Sequence, residues 1–486
     1  MHQQVSNISF DEHDNSYQPN FRETVGVKMV VLVTGSNITS FRYCLTKPSY
    51  LLWLPAAVSL TPPSYRFFFL ICALPLVISA PEQIHLSFHG NYSTMGVTWI
   101  TFKSDSSTVH YGNSPNDLPF SVKGSQTEWV TGNITRYTRR ALMENLLPST
   151  NYWYKIGSRT FQFKTLPEYP ESYRVCIFGD LGRRHGNSTA SIIRNGLAGM
   201  FDFVIHVGDI AYDLQDDDGK NGDKFMNQLE PLISRIPYMM VAGNHEYEGG
   251  TFSNFQQRFW MPQNGFDGNQ FYSFDLGPAH WTALSTEYYG YYQELGSGPI
   301  LDQYKWLEND LKVANAHRRE TPWLFTYLHR PFYCSANHNS DCSDSNSTLI
   351  RIGNGDVPGL ENAFIQYGVD IGFWGHVHYY ERFYPVANEK YRNTENCYHN
   401  AQAPTYIITG SAGCHSPGTK FDKHPVPFSA KRLNDYGYTI LTVANMTHIR
   451  IQQLSIDKDE AIVDDFWLSK DLGSGVRTEM RKIWYN

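Results

Sequence analysis

Residues 203–212 read FVIHVGDIAY, an apolar run that ends in a Gly-Asp pair with a tyrosine three positions after the aspartate. A short run rich in β-branched residues and closed by a glycine predicts a buried strand that stops at the glycine. Four other segments have the same form, an apolar strand followed at once by a polar motif. The predicted strands cover residues 174–178, 203–207, 238–241, 323–328 and 369–374, and the motifs after them read GDLG (179–182), GDIAY (208–212), GNHE (243–246), HRP (329–331) and GHVH (375–378).

The spacing of these strands predicts an α/β domain. A helix-like segment at residues 191–200 lies between the first two strands, as expected where strands alternate with helices. In open α/β sheets ligands bind at the carboxyl ends of the strands, so the five motifs are expected to meet in one site. The last stretch, residues 438–466, alternates in polarity like strands and is expected to complete a second sheet.

The chain ahead of this domain has a different pattern. Residues 81–165 contain short strand-like runs, at 95–102, 107–111 and 151–156, that are separated by turn residues. Residues 146–154 (LLPSTNYWY) resemble the end of a fibronectin type III sandwich. Residues 166–172 (LPEYPES) have linker character, and no cluster of metal-ligand residues precedes them. We therefore expect an all-β domain with a structural role.

The polar motifs supply seven candidate metal ligands. Carboxylate, imidazole, amide oxygen and phenolate all bind first-row metals, and the absence of cysteine at these positions disfavours a structural zinc site. Seven ligands exceed what one tetrahedral ion needs, whereas two six-coordinate ions that share a carboxylate would use them all. Such a pair suits in-line displacement at phosphorus. The candidates are Asp180, Asp209, Tyr212, Asn244, His329, His376 and His378.

The order of the five motifs resembles that of the purple acid phosphatases, which belong to the calcineurin-like metallophosphoesterase superfamily. The resemblance covers the chain from Pro81 almost to its end, and Tyr212 separates this family from most of the superfamily. It implies a four-layer α/β/β/α metallophosphoesterase domain after a fibronectin type III-like sandwich. The implied boundaries are 81–168 for the sandwich, 172–470 for the dinuclear domain, with the 426–470 strands completing it, and 471–486 for a C-terminal tail.

The resemblance also implies a role for each site residue. Asp180, Tyr212 and His378 would hold Fe(III), and Asp209 would bridge to a second ion. The second ion, divalent Fe, Zn or Mn, would have the ligands Asn244, His329 and His376. His245 and His338 would be catalytic residues that contact the substrate rather than the metals. The chain departs from the family pattern at Thr326, where valine is usual, and at Asn339, where long plant-type members have a second histidine.

The chemistry of Tyr212 supports iron independently of the resemblance. A phenol has a pKa of about 10, so only a strongly polarising ion ionises it at acidic pH. The same ion would make hydroxide available in an acidic compartment, for attack on a phosphate monoester. The sequence therefore predicts an acid phosphatase acting on small-molecule phosphate monoesters or phosphoproteins. The alternatives are a metal-dependent phosphodiesterase or nucleotide pyrophosphatase, and a non-catalytic extracellular binding protein.

Composition and targeting signals limit the partners and the cellular compartment that are expected for this reaction. A formal net charge of -7 argues against a nucleic-acid partner. An apolar run at residues 67–80 resembles the core of a signal peptide, which predicts a signal-like segment at 66–80 and an upstream extension at 1–65 that is absent from the mature protein. The alternative is an uncleaved signal-anchor; stable membrane insertion is not expected. Five glycosylation sequons follow, at Asn91, Asn133, Asn187, Asn346 and Asn445.

Cysteine usage agrees with passage through the secretory pathway. Cys176 lies inside a predicted strand and is expected to be a buried thiol. The other four cysteines downstream of Ala80 are expected to form two disulfides, in any of three pairings. These four are Cys334, Cys342, Cys397 and Cys414. The protein is thus expected to be secreted or lysosomal.

Overall fold

The computed structural model describes residues 80–266, 268–336, 345–413, 421 and 424–472, and three short strands upstream. The upstream strands are β1 (Val27–Val31), β2 (Phe41–Lys47) and β3 (Tyr50–Leu52), which form an antiparallel sheet in that order. They belong to a unit, Met1–Leu76, that is separate from the unit Val77–Asn486. The predicted signal-like segment lies outside the described residues except for Ala80. No helix in the described part of the chain is long and apolar enough to cross a membrane.

The predicted all-β domain is a sandwich of two four-stranded antiparallel sheets. Its strands are β4 (Glu82–Ser87), β5 (Met95–Thr101), β6 (Thr108–Gly112), β7 (Phe120–Lys123), β8 (Ser125–Thr131), β9 (Ile134–Met143), β10 (Asn151–Ile156) and β11 (Arg159–Lys164). The sheet orders are β4-β5-β9-β8 and β11-β10-β6-β7. Side chains alternate between core and solvent: Tyr152, Tyr154 and Ile156 are buried, whereas Asn151 and Lys155 are exposed. The all-β prediction is confirmed.

The second domain contains two mixed sheets and eight α-helices among the described residues. Its elements are β12 (Tyr173–Phe178), α1 (Thr189–Leu197), β13 (Phe203–Val207), α2 (Lys220–Ile233), β14 (Tyr238–Val241), a 3-10 turn (Asn244–Glu246), α3 (Ser253–Arg258), β15 (Tyr272–Leu276), β16 (Ala279–Ala283), α4 (Glu287–Gly290), α5 (Tyr292–Leu295), α6 (Gly298–Ala316), β17 (Trp323–Tyr327), α7 (Ser345–Ile352), α8 (Glu361–Tyr367), β18 (Ile371–Trp374), β19 (Tyr380–Phe383), β20 (Val386–Ala387), β21 (Lys390–Tyr391), β22 (Thr405–Thr409), β23 (Ser429–Leu433), β24 (Gly437–Val443), β25 (His448–Ser455), a 3-10 turn (Ile456–Lys458) and β26 (Ala461–Ser469).

The two sheets differ in order and direction. The six-stranded sheet has the order β14-β13-β12-β24-β25-β26, with β12, β13 and β14 parallel to one another. The seven-stranded sheet has the order β15-β16-β17-β18-β22-β19-β23, and its strands from β16 to β22 are parallel. A separate hairpin joins β20 and β21. The carboxyl ends of β12 to β14, and those of β17 and β18, carry the five polar motifs.

The expectation that residues 438–466 complete a second sheet is wrong. Strand β24 pairs antiparallel with β12, from Tyr173 opposite Val443 to Ile177 opposite Thr439, so the last three long strands extend the first sheet. The seven-stranded sheet instead recruits β15, β16, β19, β22 and β23. Helix α1 also ends earlier than predicted, at Leu197, because Gly199 takes a left-handed conformation with φ +77° that stops the helix.

Hydrophobic packing arranges these elements in four layers. Phe325 and Tyr327 of β17 belong to a core that both sheets share, whereas Leu324, which points the other way, packs into a second core with Leu307 of α6 and Phe364 of α8. Helices α1 and α2 contribute buried side chains to the first core from the opposite side of the six-stranded sheet. The predicted α/β/β/α order is confirmed.

A buried ionic cluster joins the sandwich to the second domain. Arg136 of β9 and Arg258 of α3 both donate to the carboxylate of Asp223 in α2, at 2.6 Å and 2.8 Å. The same two guanidinium groups donate to the backbone carbonyls of Asp218 and Gly219, both at 2.8 Å. Since these carbonyls lie in the loop between Tyr212 and α2, the sandwich helps to fix a loop that carries a candidate ligand.

The cysteines are only partly as predicted. Cys176 is a buried free thiol, as expected. Cys334 is disulfide-bonded. Cys397, however, is a free and partly buried thiol, so the prediction that all four remaining cysteines form two disulfides is wrong. Local sequence gives no sign of this, because pairing depends on which loops meet in space.

Candidate metal centre

Five loops bring the candidate ligands together at the carboxyl edge of both sheets. Close approach of these loops requires glycine at two places. Gly208 has φ +86°, and a side chain there would lie 2.5 Å from Nδ1 of His329. A Cβ atom on Gly243 would lie 2.4 Å from the backbone nitrogen of Asp209. The glycines of the Gly-Asp and Gly-Asn-His-Glu motifs are therefore needed for the loops to meet.

The ligand atoms form two groups that share one residue. Asp209, His329 and His376 each offer an atom within 4.8 Å of the others, and so do Asp180, Asp209 and His378. Asp209 is common to both groups, which is the arrangement that a bridging carboxylate requires. The resemblance to the purple acid phosphatases implies that bridging role for this aspartate.

Tyr212 and Asn244 each lie against one of the two groups. The hydroxyl of Tyr212 is 2.8 Å from Nε2 of His378. The amide oxygen of Asn244 is 3.0 Å from Nε2 of His329 and 2.8 Å from Nδ1 of His376. The structure thus brings all seven candidate ligands into one cluster, with Tyr212 beside one group and Asn244 beside the other.

The cluster fits a pair of cations. Oδ1 of Asp180 is buried, accepts no hydrogen bond from a described residue and lies 3.4 Å from Nε2 of His378, while its Oδ2 accepts the backbone N–H of His376 at 2.9 Å. A buried carboxylate oxygen without a partner is costly unless a cation or donor faces it. His329 uses Nδ1 to donate to the carbonyl of Val207 at 2.8 Å, which leaves the Nε2 lone pair for a metal.

Backbone strain is concentrated on the same residues. Positive φ values are uncommon outside glycine and are often found where surrounding structure enforces a functional geometry. Four of the seven candidate ligands have them. These are Asp180 at +58°, Asp209 at +51°, Tyr212 at +52° and His376 at +68°.

Burial and mutual charge set the proton affinities of the cluster. Burial raises the pKa of Asp180, more than the neighbouring His378 imidazole lowers it. Burial likewise acts to raise the pKa of Asp209, but the charge of His329 and other neighbours lowers it overall. For His329 the effect of burial is outweighed by Asp209 and Asp180, which raise its pKa, whereas burial holds the pKa of His376 well below its usual value. The cluster thus packs carboxylate and imidazole ligands together, away from water.

His245 lies beside the cluster but in neither ligand group. Its Nδ1 is 3.1 Å from Oδ1 of Asp213, and its ring lies 4.5 Å from that of Tyr212. Its Nε2 lies 4.0 Å from Oδ2 of Asp209, on the side of the cluster that is partly open to solvent. Burial lowers the pKa of His245, but Asp213 and Asp209 outweigh it and raise the pKa to about 9. His338 and Asn339 lie outside the described residues.

Three supporting residues near the cluster were not assigned a role from the sequence. Glu246 is fully buried and accepts the backbone N–H groups of Gly243, Asp209 and Ile210 at 2.8–2.9 Å. Asn221 donates to the backbone carbonyl of Tyr212 at 3.1 Å and to those of the residues on either side of it. Asp213 is the third. Glu246 lies inside the Gly-Asn-His-Glu motif and Asp213 directly follows Tyr212, and these positions were the available signal.

Comparisons with known proteins agree with this geometry. Family models match three consecutive parts of the chain: the purple acid phosphatase N-terminal domain at residues 81–166, calcineurin-like phosphoesterase at 173–380, and iron/zinc purple acid phosphatase-like protein C at 403–465. Acid phosphatase type 7 of Homo sapiens is 42% identical over 406 residues, which are 81% of this chain and 92% of that protein.

A plant relative and a solved structure extend the comparison. The Fe(3+)-Zn(2+) purple acid phosphatase 12 of Arabidopsis thaliana is 30% identical over 420 residues, covering 80% of this chain and 84% of its own length. The structure of a purple acid phosphatase from yellow lupin (Lupinus luteus) seeds superposes with a TM-score of 0.69 over 89% of this chain and 79% of its own. At 23% identity, that likeness supports the fold alone.

Proposed function

The chain belongs to the purple acid phosphatase family, and from that membership and the geometry of its cluster we propose that it hydrolyses phosphate monoesters at an Fe(III)–M(II) pair. The observation that carries the proposal is the sharing of Asp209 between two groups of ligand atoms. Two metals held about 3.5–4 Å apart by a common carboxylate are suited to in-line displacement at phosphorus.

We assign the ligands in two sets. Asp180, Tyr212 and His378 would hold Fe(III), supported by the 2.8 Å contact between the Tyr212 hydroxyl and His378. A second set, joined by the amide oxygen of Asn244, would hold a divalent ion. That set consists of Asn244, His329 and His376, with Asp209 shared. The name of the Arabidopsis thaliana relative specifies Fe(3+) and Zn(2+), which favours zinc as the second ion here.

The metals would supply Lewis acidity and a nucleophilic oxygen, and the chain's own residues do the rest. His245 holds a proton on Nε2, on the open side of the cluster, where it can be given to the leaving-group oxygen. Asp213 orients the ring by accepting a hydrogen bond from Nδ1. Glu246 and Asn221 fix the backbone that carries Asp209 and Tyr212.

Two alternatives from the sequence receive less support. The relatives named above are acid phosphatases, which favours monoester hydrolysis over a phosphodiesterase or pyrophosphatase. A non-catalytic binding protein has no need for strained, buried ligands in two groups that share a carboxylate.

We also propose that the protein enters the secretory pathway and is secreted or lysosomal. Asn91, Asn133, Asn187 and Asn445 are exposed, as glycan acceptors must be, and the side chain of Asn346 lies outside the described residues. The disulfide at Cys334 fits an oxidising compartment. N-terminal sequencing and glycosidase treatment of protein expressed in eukaryotic cells test this. A mature N-terminus at Met1 without glycan would contradict it.

Metal analysis combined with a visible spectrum tests the catalytic proposal. Purified protein should contain two metal ions per chain, one of them iron. It should show a visible charge-transfer band and hydrolyse p-nitrophenyl phosphate at acidic pH. Full activity with stoichiometric metal but neither iron nor a visible band would reject the Fe(III) assignment and favour a di-zinc or di-manganese centre.

A further inference from the structure

A cleft of about 250 Å³ opens beside the metal centre and has a basic wall. Tyr212 and His245 form its inner end. Arg183 and Arg184 line it from the loop after β12, and Lys224 lines it from α2. We call it the arginine cleft. Since Tyr212 lies in both the cleft and the ligand cluster, a group attached to a phosphate at the metal centre could reach into this space.

Arg183 is tied to the loop that carries Tyr212. Its Nε donates to the side-chain oxygen of Asn221 at 2.6 Å, and the amide of Asn221 donates to the backbone carbonyl of Tyr212 at 3.1 Å. The guanidinium is therefore held in a fixed position relative to a proposed iron ligand. Its two terminal amino groups make no hydrogen bond to any described residue and are left to bind an anion.

The backbone next to Arg183 packs directly on the Tyr212 ring. Gly182 has φ +69°, and a Cβ atom there would lie 2.8 Å from Cδ2 of Tyr212. The backbone of Arg183 therefore lies at the edge of the metal centre. Arg184, the next residue, is exposed and makes no hydrogen bond or ion pair with the part of the chain that the structure describes.

The acidic residues of the cleft are mostly engaged elsewhere. Asp213 pairs with His245 at 3.1 Å, and Asp217 pairs with Lys220 at 2.9 Å and with Lys224 at 3.6 Å. Formally the three aspartates balance the three basic side chains of the cleft, but only Asp216 is left to face the two arginines. The two guanidinium groups are therefore available to bind an anion in a chain whose formal net charge is -7.

We propose that the arginine cleft binds a second phosphate group on the substrate, so that small bisphosphates are the preferred substrate class. The inference rests on the proposed phosphatase activity. Arginine binds phosphate in a bidentate manner, and hydrogen bonds between charged groups are stronger than neutral ones. Water adds to the phosphorus at the metal centre and the bond to the leaving-group oxygen breaks. That oxygen takes a proton, and the leaving group keeps its other phosphate.

Matched substrates test the proposal and measure the reach of the cleft. The kcat/KM values of α,ω-alkanediol bisphosphates with two to six carbons would be compared with those of the alkanediol monophosphates of the same length. At the best length the bisphosphate should exceed the monophosphate by about tenfold, the contribution of one charge-assisted pair, beyond the statistical advantage of two equivalent ends.

Arg184→Gln and Arg183→Lys should lower this ratio towards its statistical value. Lys312→Gln, which removes an exposed positive charge from α6, is the matched control and should leave the ratio unchanged. A ratio near the statistical value at every length, or a high ratio that survives both arginine substitutions, would overturn the inference while leaving the phosphatase intact. Failure to hydrolyse any monophosphate would instead reject the proposed function, and the inference with it.

Discussion

Replacing Glu246 with glutamine is expected to loosen the metal centre while the domain remains folded. Oε2 of Glu246 accepts the N–H groups of Asp209 at 2.9 Å and Gly243 at 2.8 Å, and Oε1 accepts that of Ile210 at 2.9 Å. One carboxylate thus joins the Gly-Asp loop to the Gly-Asn-His-Glu loop. It holds the backbone of the bridging residue Asp209 without contacting a metal.

The cost of the substitution follows from these three bonds. A glutamine can place its oxygen where Oε2 lies, but its NH₂ group then faces the N–H of Ile210, which stays buried without an acceptor. An unsatisfied buried donor costs about 1–3 kcal/mol. Because burial and the charge of Asp209 raise the pKa of Glu246 to about 8, no further loss is assigned to its charge, and the free energy of unfolding should fall by about 1–3 kcal/mol.

Urea unfolding and metal analysis check this expectation together. Glu246→Gln should lower the unfolding midpoint and reduce the number of bound ions per chain. Glu294→Gln, on an exposed glutamate, is the control and should change neither quantity. A Glu246→Gln protein with the midpoint and metal content of that control would refute the positioning role of Glu246.

Three further expectations concern single side chains. Tyr212→Phe should abolish the visible band while the protein stays folded, because it removes only the hydroxyl that contacts His378; a persistent band would exclude a tyrosinate ligand. His245→Ala should lower kcat by about 10²–10⁴-fold with metal content unchanged, and loss of iron in this variant would mean that His245 is a ligand. Hydrogen bonds with Asp275 and Asp310 raise the pKa of His280 from 6.5 to about 9 in spite of burial, so its contribution to stability is complete below pH 6.5 and is lost as pH rises through about 9. The stability difference between wild type and His280→Gln, about 3 kcal/mol at acidic pH, should therefore shrink by pH 9.5, and a constant difference from pH 6 to 9.5 would show that the ion pairs do not form.

The sequence predicted the ligand cluster because each ligand lies in a short polar motif that directly follows an apolar strand. A strand end fixes the position of the next one or two residues, so local pattern was sufficient for Asp180, Asp209 and His376. Sheet membership was not predictable in the same way. Tyr173 pairs with Val443, far along the chain, and alternation within residues 438–466 indicates a strand without indicating its partner.

The supporting residues were missed for a related reason. Glu246 acts by accepting hydrogen bonds from the backbone of two distant loops, and no property of a lone glutamate indicates that it will do so. Asn221 appears in sequence as an ordinary polar residue near the start of a helix, yet its amide meets three carbonyls of the Tyr212 loop. Such roles become visible only when the loops are seen in contact.

The distribution of ligands over two sheets has a consequence for how the protein loses its fold. Asp180, Asp209, Tyr212 and Asn244 follow strands of the six-stranded sheet, whereas the three histidines follow strands of the seven-stranded sheet. Each proposed ion thus cross-links one sheet to the other, and its binding free energy becomes part of the free energy of folding. By mass action, a chelator that removes the ions would weaken the association of the two sheets and lower the stability of the protein. The thermal unfolding temperature would then rise with the concentration of available metal.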